Sequence, residues 1–218
     1  MNLIIQIPCY NEEDTIEKTL NDLPRSIPGI DSIEILIIDD GCQDRTVEIA
    51  RQWGVNHFVH FNQNKGLARA FEAGLEKALK LDADIIVNTD ADNQYDQTQI
   101  PLLLEPILQG KADVVTGNRQ IENLTHMSQA KKYGNLWGSR VIRFLTGLTV
   151  ADASSGFRAY TAQSLEKLHV HSKHTYTHET LIQIAFSDLA LVEVPITFRR
   201  RQATSGHSRL IQGVLDHI

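Results

Sequence analysis

The first half of the chain alternates short apolar runs with longer segments of helical periodicity. The runs are rich in β-branched residues and bounded by polar turns, which is typical of buried strands. They predict strands at residues 2–8, 33–39, 55–61, 84–90 and 112–117. Between them, apolar positions spaced by three and four predict helices at residues 11–23, 44–53, 66–81 and 98–109. This alternation predicts an α/β fold with a mostly parallel central sheet and helices on both faces.

The pattern changes in the second half, where one long amphipathic helix stands out. Its apolar stripe consists of Tyr133, Leu136, Trp137, Val141, Phe144 and Leu145, and its basic residues are Lys131, Lys132, Arg140 and Arg143. Such a stripe either packs on the sheet, which is the preferred interpretation, or enters a membrane surface while the basic residues meet anionic headgroups. A further helix is predicted at residues 179–187 and a strand at residues 189–198.

Length and composition fit one soluble domain. With 218 residues, 42% of them hydrophobic, the chain is long enough to bury a substantial core. No apolar run approaches the roughly 20 residues that span a bilayer. Two cysteines are too few for a secreted disulfide framework, so Cys9 and Cys42 are interpreted as reduced thiols of a cytoplasmic protein.

The net charge of −6 conceals two halves of opposite sign. Residues 1–126 carry 10 basic and 21 acidic side chains, whereas residues 127–218 carry 11 basic and 6 acidic ones. The basic half suits a phosphate-rich partner, although any single run of charge also fits a solvated face. One domain with two halves divided at this point is therefore expected, and no nucleic-acid partner is expected.

Polar residues with metal-binding chemistry follow the fourth predicted strand. Asp90 and Asp92 are two residues apart, and Gln94 adds a neutral oxygen donor two residues further on. Two carboxylates in this spacing bind a hard divalent cation, which completes its coordination with phosphate oxygens. The alternative is a solvated turn, but the carboxyl end of a strand in an open α/β sheet is where ligands bind.

Two other loops carry candidate nucleotide contacts. Asp39 and Asp40 end the second strand and can accept hydrogen bonds from a ribose or a base, while Asp44 is suited to cap the next helix. Lys65 and Gly66 precede the third helix, where backbone N–H groups and the lysine can meet a diphosphate. A Walker-type phosphate loop is not indicated, because the spacing is different.

Six motifs occur in the order seen in family 2 glycosyltransferases. They are PCYNEE (8–13), DDGCQDRT (39–46), NKG (64–66), DADNQ (90–94), GNR (117–119) and DASSGFR (152–158). Over nearly its whole length the chain resembles the polyprenol-phosphate branch of that family, which includes the dolichol-phosphate mannosyltransferases. Cys42 departs from the serine usual in its motif, and residues 201–209 match the family only loosely.

The resemblance implies a GT-A fold with a Rossmann-like nucleotide-binding half fused to an acceptor half. The implied reaction is inverting transfer of a hexose from a UDP- or GDP-sugar to a polyprenyl phosphate at the cytoplasmic face of a membrane. The implied nucleotide-sugar site consists of Pro8, Tyr10, Glu12, Asp39, Asp40, Lys65, Gly66, Asp90, Ala91, Asp92 and Arg119. The implied Mg2+ or Mn2+ ligands are Asp90, Asp92 and Gln94, and the implied phosphate partners are Arg119, Arg158 and Arg201.

The class of acceptor decides what Asp152, Glu179 and Arg158, the candidate catalytic residues, must do. A hydroxyl acceptor needs a general base, and Glu179 stands where the family has an acid. A phosphate acceptor is already an anion at neutral pH, so either carboxylate would position groups, orient an arginine or stabilise the oxocarbenium-like centre. Both readings stay open at this level.

Other functions fit parts of the pattern. The donor site is compatible with a soluble glycan or protein hydroxyl as acceptor, or with a catalytically silent nucleotide-sugar-binding subunit. His178 and Glu179 resemble the start of the zinc motif H-E-x-x-H, but position 182 is Ile, so a ligand is missing. An apolar segment begins at residue 210, which fits either a natural chain that continues into membrane-associated segments or a peripheral form.

Overall fold

The computed structural model describes residues 1–125, 127–172 and 175–201, which form a sheet of seven strands covered by helices. The strands are β1 (Asn2–Cys9), β2 (Ser32–Asp39), β3 (His57–His60), β4 (Ile85–Asn88), β5 (Val114–Asn118), β6 (Arg158–Thr161) and β7 (Leu191–Pro195). Their order is β3-β2-β1-β4-β6-β5-β7, and among them only β6 runs antiparallel to its neighbours. The predicted mostly parallel α/β fold is confirmed.

Helices cover both faces of the sheet. They are α1 (Ile16–Asn21), α2 (Thr46–Trp53), α3 (Leu67–Leu79), α4 (Ile100–Leu108), α5 (Gln129–Thr146), α6 (Ala162–Leu165) and α7 (Thr177–Ala185). Side chains of α1, α2 and α4 share one core with Leu3 and Ile5, whereas those of α3, α5 and α7 share the other core with Ile4. Because neighbouring residues of β1 enter opposite cores, its sequence is apolar at almost every position.

Several elements differ from prediction at their ends. The helix predicted from residue 11 begins at Ile16, because residues 11–15 form a turn in which the Glu12 carbonyl accepts the Thr15 and Ile16 N–H groups. The strand predicted at residues 84–90 ends at Asn88, which leaves Asp90 outside the sheet. These shortened ends supply the loops that build the site.

Two differences concern the last strands. The sequence analysis predicted no strand for β6, since its four residues include no apolar run and it is defined by pairing with β4 and β5. The strand predicted at residues 189–198 ends at Pro195, and the Ile196 N–H makes one further hydrogen bond to the Asn118 carbonyl of β5 at 2.9 Å. Beyond it the chain leaves β5, and Phe198 forms an antiparallel bridge with Tyr95.

The preferred interpretation of α5 is wrong. Its buried side chains are Ser139 and Ile142, whereas most of the predicted apolar stripe faces solvent. Tyr133, Trp137 and Phe144 are 72%, 69% and 89% exposed. The side of α5 that packs on the protein is therefore the one that carries Ser139 and Ile142, and not the predicted stripe.

No helix within the three described ranges is both long enough and apolar enough to cross a membrane. The apolar segment predicted from residue 210, like residues 202–209 of the loosely matching motif, lies outside the described residues.

Candidate active site

The loops that follow β1, β2 and β4 meet at one edge of the sheet. These three strands are parallel neighbours, so their carboxyl ends point the same way. The loops are joined by hydrogen bonds, from the Asp40 N–H to the Cys9 carbonyl at 3.0 Å and from Thr19 Oγ1 to the Ala91 carbonyl at 2.9 Å. The predicted metal and nucleotide motifs are thus brought together in one cleft.

Asp90 and Asp92 form the acidic centre of this cleft. Burial raises the pKa of Asp90 to about 7, and the Asp92 carboxylate adds to this by repulsion. Burial also raises the pKa of Asp92. Asp92 Oδ1 accepts a hydrogen bond from the Gln94 N–H at 3.0 Å, while no described residue donates one to the Asp90 side chain. Two crowded carboxylates with unused acceptor oxygens fit a divalent cation.

The protein alone supplies few further metal ligands. The described residues contain no group of three or more His, Cys, Asp or Glu side chains that could hold a metal ion. Gln94 is fixed beside the aspartates, because its carbonyl accepts the Arg199 N–H at 2.7 Å and its Nε2 donates to the Arg199 carbonyl at 3.3 Å. A cation at Asp90 and Asp92 would take its remaining oxygens from Gln94, water or a bound phosphate.

Arg201 reaches the same centre from the end of the described chain. Its Nη2 lies 2.8 Å from Glu12 Oε1, and its Nη1 lies 3.9 Å from Asp92 Oδ2. Burial raises the pKa of Glu12, and the Arg201 charge acts against this shift. Glu12 Oε2 also accepts a hydrogen bond from Thr15 Oγ1 at 2.9 Å. Glu12, predicted as a nucleoside contact, therefore holds Arg201 in place here.

Arg199 fastens the segment that carries Arg201. Its Nη2 lies 2.7 Å from Asp96 Oδ1, and its Nη1 lies 3.1 Å from Asn93 Oδ1 and 2.5 Å from Asp22 Oδ2. These partners lie on the loop after β4 and at the end of α1. The sequence analysis missed this role, because the acceptors are 103 to 177 residues away along the chain.

We expect Arg199→Ala to raise the KM for the nucleotide-sugar donor that the resemblance implies by about 5- to 10-fold, since Arg201 would lose its fixed position. Arg200→Ala is the matched control, because Arg200 is exposed and lies between the two. Steady-state kinetics of both variants, with thermal melts to exclude unfolding, make the comparison. Equal effects of the two substitutions would show that Arg199 has no special positioning role.

Arg119 is held by Asp152 in a two-pronged ion pair. Arg119 Nε lies 2.7 Å from Asp152 Oδ2, and Arg119 Nη2 lies 2.8 Å from Oδ1. The Asp152 side chain is 1% exposed and that of Arg119 is 11% exposed. Ser154 Oγ accepts a further hydrogen bond from Arg119 Nη2 at 2.6 Å. Both oxygens of Asp152 are occupied, so this carboxylate orients Arg119, which is one of the predicted alternatives.

Tyr95 lies near Arg119, Asp90 and Asp152, although it was not among the predicted site residues. Its hydroxyl accepts the Gly156 N–H at 3.0 Å, and burial raises its pKa to about 12. The charges of Arg119, Asp90 and Asp152 all act on it. Its position directly after the DADNQ motif was the one available signal.

The backbone of the NKG motif, predicted to meet a diphosphate, is hydrogen-bonded to the protein itself. The Lys65 and Gly66 N–H groups donate to Asp40 Oδ1 at 2.6 Å and Oδ2 at 2.9 Å, so protein oxygens already occupy them. Lys65 Nζ lies 4.2 Å from the centre of the Phe61 ring. Burial raises the pKa of Asp40, and the two N–H donors act against that shift.

Asp39 likewise binds protein groups. Its Oδ1 accepts the Cys42 N–H at 2.7 Å, and its Oδ2 lies 2.9 Å from His60 Nδ1. Both predicted acids of this loop therefore hold loops together. Gly41 has φ +82°, and a Cβ there would lie 2.6 Å from the backbone of Gln63. The close approach that requires this glycine is to the neighbouring loop.

Three predicted nucleotide contacts lie at the rim of the cleft or beneath it. Pro8 is a buried residue of β1 paired with Ile38, and Tyr10 follows that strand half-buried. Ala91 is buried between the two aspartates, with its carbonyl bound to Thr19. Their role in binding a nucleotide stays a prediction.

Arg158, predicted to contact a phosphate, is enclosed by the protein in this structure. Its side chain is fully buried, and its guanidinium donates to four protein oxygens. The acceptors are the carbonyls of Ser155 (2.8 Å), Thr177 (3.0 Å) and Ala153 (3.0 Å) and Thr180 Oγ1 (2.8 Å). Arg158 therefore stabilises the loop that carries Asp152, and it has no surface to offer a substrate.

Arg158→Leu should lower the free energy of unfolding by about 3–5 kcal/mol, because buried acceptors would lose their donor. Arg158→Lys should lower the free energy of unfolding by less, since the lysine ammonium can still donate to some of the buried acceptors. Chemical denaturation measures both. A stable Arg158→Leu protein that has lost activity would instead restore the catalytic role.

Glu179 is also engaged by the protein. Its Oε1 accepts the His171 N–H at 2.8 Å, and its Oε2 accepts the Ser172 N–H at 2.9 Å. It anchors the loop before α7 through both of its carboxylate oxygens, and its role as a general base stays a prediction. Burial lowers the pKa of the adjacent His178.

Comparison with known proteins identifies a matching family model and curated relatives that cover most of the chain. The model of glycosyl transferase family 2 matches residues 4–169. An undecaprenyl-phosphate mannosyltransferase of Micrococcus luteus is 29% identical over 225 residues, covering 99% of this chain and 90% of that protein. A dolichyl-phosphate hexose transferase of Haloferax volcanii is 34% identical over 200 residues, covering 92% of this chain and 84% of that protein.

Comparison with solved structures shows which fold the chain shares with them. Glucosyl-3-phosphoglycerate synthase from Mycobacterium tuberculosis, in complex with Mn2+, UDP and glucosyl-3-phosphoglycerate, matches with a TM-score of 0.69 at 19% identity. The match covers 99% of this chain and 79% of that one. The predicted GT-A fold is confirmed, and so is the resemblance to the polyprenol-phosphate branch. Since the family model spans well over half of the residues, the chain belongs to glycosyl transferase family 2.

Proposed function

We propose that this protein is an inverting, metal-dependent glycosyltransferase that moves a hexose from a nucleotide-diphosphate sugar to a polyprenyl phosphate. An oxygen of the lipid phosphate forms the new bond to the anomeric carbon, the bond from that carbon to the donor diphosphate breaks, and the nucleoside diphosphate leaves. The names of the Micrococcus and Haloferax relatives support this class of acceptor.

One observation carries the proposal: both candidate general bases are engaged by protein donors. Asp152 binds Arg119 through both oxygens, and Glu179 binds the backbone of residues 171–172 through both of its oxygens. A hydroxyl acceptor needs a free base, whereas a phosphate with a second pKa of about 6 is already ionised at neutral pH. The site therefore suits a phosphate acceptor better than a glycan or protein hydroxyl.

We assign binding of the sugar donor's diphosphate to the metal site formed by the aspartate pair. Asp90 and Asp92, with Gln94, would hold Mg2+ or Mn2+, which neutralises the negative charge that develops on the departing diphosphate. Arg201 lies beside Asp92 and supplies a second positive charge for those oxygens. The solved structure of the same fold in complex with Mn2+ and UDP supports the use of a divalent metal.

We assign binding of the acceptor phosphate to Arg119. Its guanidinium is fixed by Asp152 and Ser154, and its charge acts on Asp90 across the cleft. A lipid phosphate beside it would be attracted and held without any proton transfer. Because the acceptor is a lipid, we place the reaction at a membrane surface, and the free thiols of Cys9 and Cys42 favour its cytoplasmic face.

Matched acceptors test the proposal. The purified chain is incubated with Mn2+ and a panel of UDP- and GDP-hexoses, together with either a short isoprenyl phosphate or the corresponding isoprenol. We expect product by mass spectrometry with the phosphate and at least about 100-fold less with the alcohol. Equal transfer to the alcohol would contradict the proposal, and donor binding without transfer or donor hydrolysis would indicate a silent binding subunit.

A further inference from the structure

Tyr95 lies where the two sides of the cleft meet. It ends the loop that carries the aspartate pair, which we refer to as the DADNQ loop (residues 89–95). The loop opposite, the DASSGFR loop (residues 152–157), carries Asp152, which holds Arg119. Tyr95 is only 2% exposed, so its side chain is enclosed by the groups that it joins.

The hydroxyl of Tyr95 holds the backbone of the DASSGFR loop. Its oxygen accepts the Gly156 N–H at 3.0 Å. At the other end of the same residue, the Gly156 carbonyl accepts a hydrogen bond from Asn88 Nδ2 at 2.8 Å. Asn88 lies two residues before Asp90, and Tyr95 lies three residues after Asp92. The residues that flank the aspartate pair thus fix one glycine of the opposite loop from both sides.

Gly156 lies directly beside the Asp90 carboxylate. A Cβ at position 156 would lie 3.5 Å from Asp90 Oδ1 and 3.0 Å from the Tyr176 hydroxyl oxygen. Because glycine has no Cβ, the two loops can approach each other this closely. The position of the DASSGFR loop is therefore set within contact distance of the candidate metal centre.

The ring of Tyr95 supports Arg119 by a second route. Its centroid lies 5.2 Å from that of Phe198 in an edge-to-face contact, and it also stacks on Phe157 at 5.1 Å. The guanidinium carbon of Arg119 lies 5.2 Å from the centre of the Phe198 ring. The loop that supplies the carboxylate partner of Arg119 and the ring over which Arg119 lies are thus both in contact with Tyr95.

The proposed reaction makes the separation of these groups critical. The aspartates would hold the diphosphate of the donor through the metal, and Arg119 would hold the phosphate of the acceptor. The attacking oxygen must come within about 3–3.5 Å of the anomeric carbon, and a misplacement of about 1 Å can lower the rate by about 100-fold. A fixed connection between the two sides of the cleft therefore favours a high rate of transfer.

We propose that Tyr95 is a positioning residue that fixes the separation between the metal centre and Arg119. It acts by joining the DADNQ loop, the DASSGFR loop and Phe198, and it contacts neither substrate. The inference rests on the proposed function, since it concerns the alignment of the two substrates.

Tyr95→Phe tests the hydroxyl, because the ring contacts with Phe157 and Phe198 remain. We expect kcat for transfer to a short isoprenyl phosphate to fall by about 10-fold or more, while the KM values of donor and acceptor change by less than about 3-fold. Thr116→Val is the matched control, since it removes a buried hydroxyl that has no hydrogen-bond partner among the described residues. It should change kcat by less than about 2-fold, and thermal melts verify that both variants are folded.

Phe198→Leu tests the second route at a half-buried position that tolerates a smaller side chain, so it decides the matter if Tyr95→Phe does not fold. It should lower kcat by about 3- to 10-fold with similar KM values. In an Arg119→Lys background, Tyr95→Phe should cost less than about 2-fold further, because Arg119 is the group that Tyr95 positions.

Four kinetic results would overturn the proposal. They are a wild-type kcat for the folded Tyr95→Phe or, failing that, for Phe198→Leu, a loss that appears only in KM, an equal loss in Thr116→Val, and full additivity with Arg119→Lys.

Hydrogen exchange separates this inference from the proposed function. Mn2+ with UDP or GDP should slow amide exchange in both loops of wild type, and Tyr95→Phe should lose only the effect on the DASSGFR loop. That pattern without any sugar transfer by wild type would leave the connection intact and refute the proposed reaction. Transfer by wild type at a rate that Tyr95→Phe matches would do the reverse. A DASSGFR loop whose exchange in wild type ignores these ligands would also overturn the connection.

Discussion

Asp92→Asn should reduce sugar transfer by at least about 100-fold while leaving the fold intact. The substitution preserves the shape of the side chain but removes one of the two carboxylates that would hold the divalent cation. The charge on the departing diphosphate would then lack most of its stabilisation. Initial rates at saturating Mn2+ measure the effect, and Asp188→Asn, an exposed acid in a turn, is the control.

The metal-free stability of this variant provides a second readout. Burial and the Asp92 charge raise the pKa of Asp90 to about 7, so the folded state favours a protonated Asp90. Its ionisation therefore destabilises the fold increasingly as the pH rises from about 4 to 7. Asp92→Asn removes the repulsion, so the variant should melt at or above the wild-type temperature at pH 7.5. This advantage should vanish below about pH 4.

Three outcomes would contradict the metal-site assignment. Full activity of Asp92→Asn with added Mn2+ would show that the carboxylate is not needed for transfer. A thermal shift on adding Mn2+ and nucleoside diphosphate that is the same in variant and wild type would show that the ligands bind elsewhere. A strongly lowered melting temperature would indicate a structural role for Asp92 instead.

Asp152→Asn should reduce transfer to a phosphate acceptor by about 10- to 100-fold, through misplacement of Arg119. The neutral amide loses the ion pair and presents an N–H group where Arg119 needs an acceptor. Arg119→Lys should cause a loss of similar size, since an ammonium cannot make the two-pronged contact. The double variant should lose little more activity than either single variant, because each single substitution already breaks the Arg119–Asp152 ion pair.

The pH profile separates positioning from base catalysis. If Asp152 only orients Arg119, the variant should show the wild-type pH dependence at a lower rate. If Asp152 removed a proton from an acceptor hydroxyl, its substitution would abolish the acidic limb of the profile and cost more than the Arg119→Lys change. Ser154→Ala is a milder control, since it removes one hydrogen bond to Arg119 and no charge.

Elements and motifs that depend on local pattern could be predicted from the sequence. The apolar runs gave five strands close to their observed positions, because a strand buried on both faces must be apolar at nearly every residue. The DADNQ motif was correctly placed after a strand. β6 escaped prediction, since its four residues owe their extended form to β4 and β5.

Roles that depend on distant partners could not be predicted in this way. Arg119 and Arg158 both end a sequence motif and were both predicted to bind phosphate. In the structure Arg119 faces the cleft in an ion pair, whereas the guanidinium of Arg158 is surrounded by four protein oxygens. Glu179 likewise has the right residue type for a base and accepts backbone N–H groups instead. A side chain's freedom to react depends on which donors the fold brings to it.

The sequence by itself determined the fold class, the family resemblance and the identity of the acidic pair, because these follow from periodicity and from short ordered motifs. The tertiary structure decided which charges are available and which face of α5 meets solvent. Both are properties of groups far apart along the chain, such as Arg199 with Asp22 and Asn135 with Ser154. Hydrogen-bond satisfaction and burial are settled only when those groups meet.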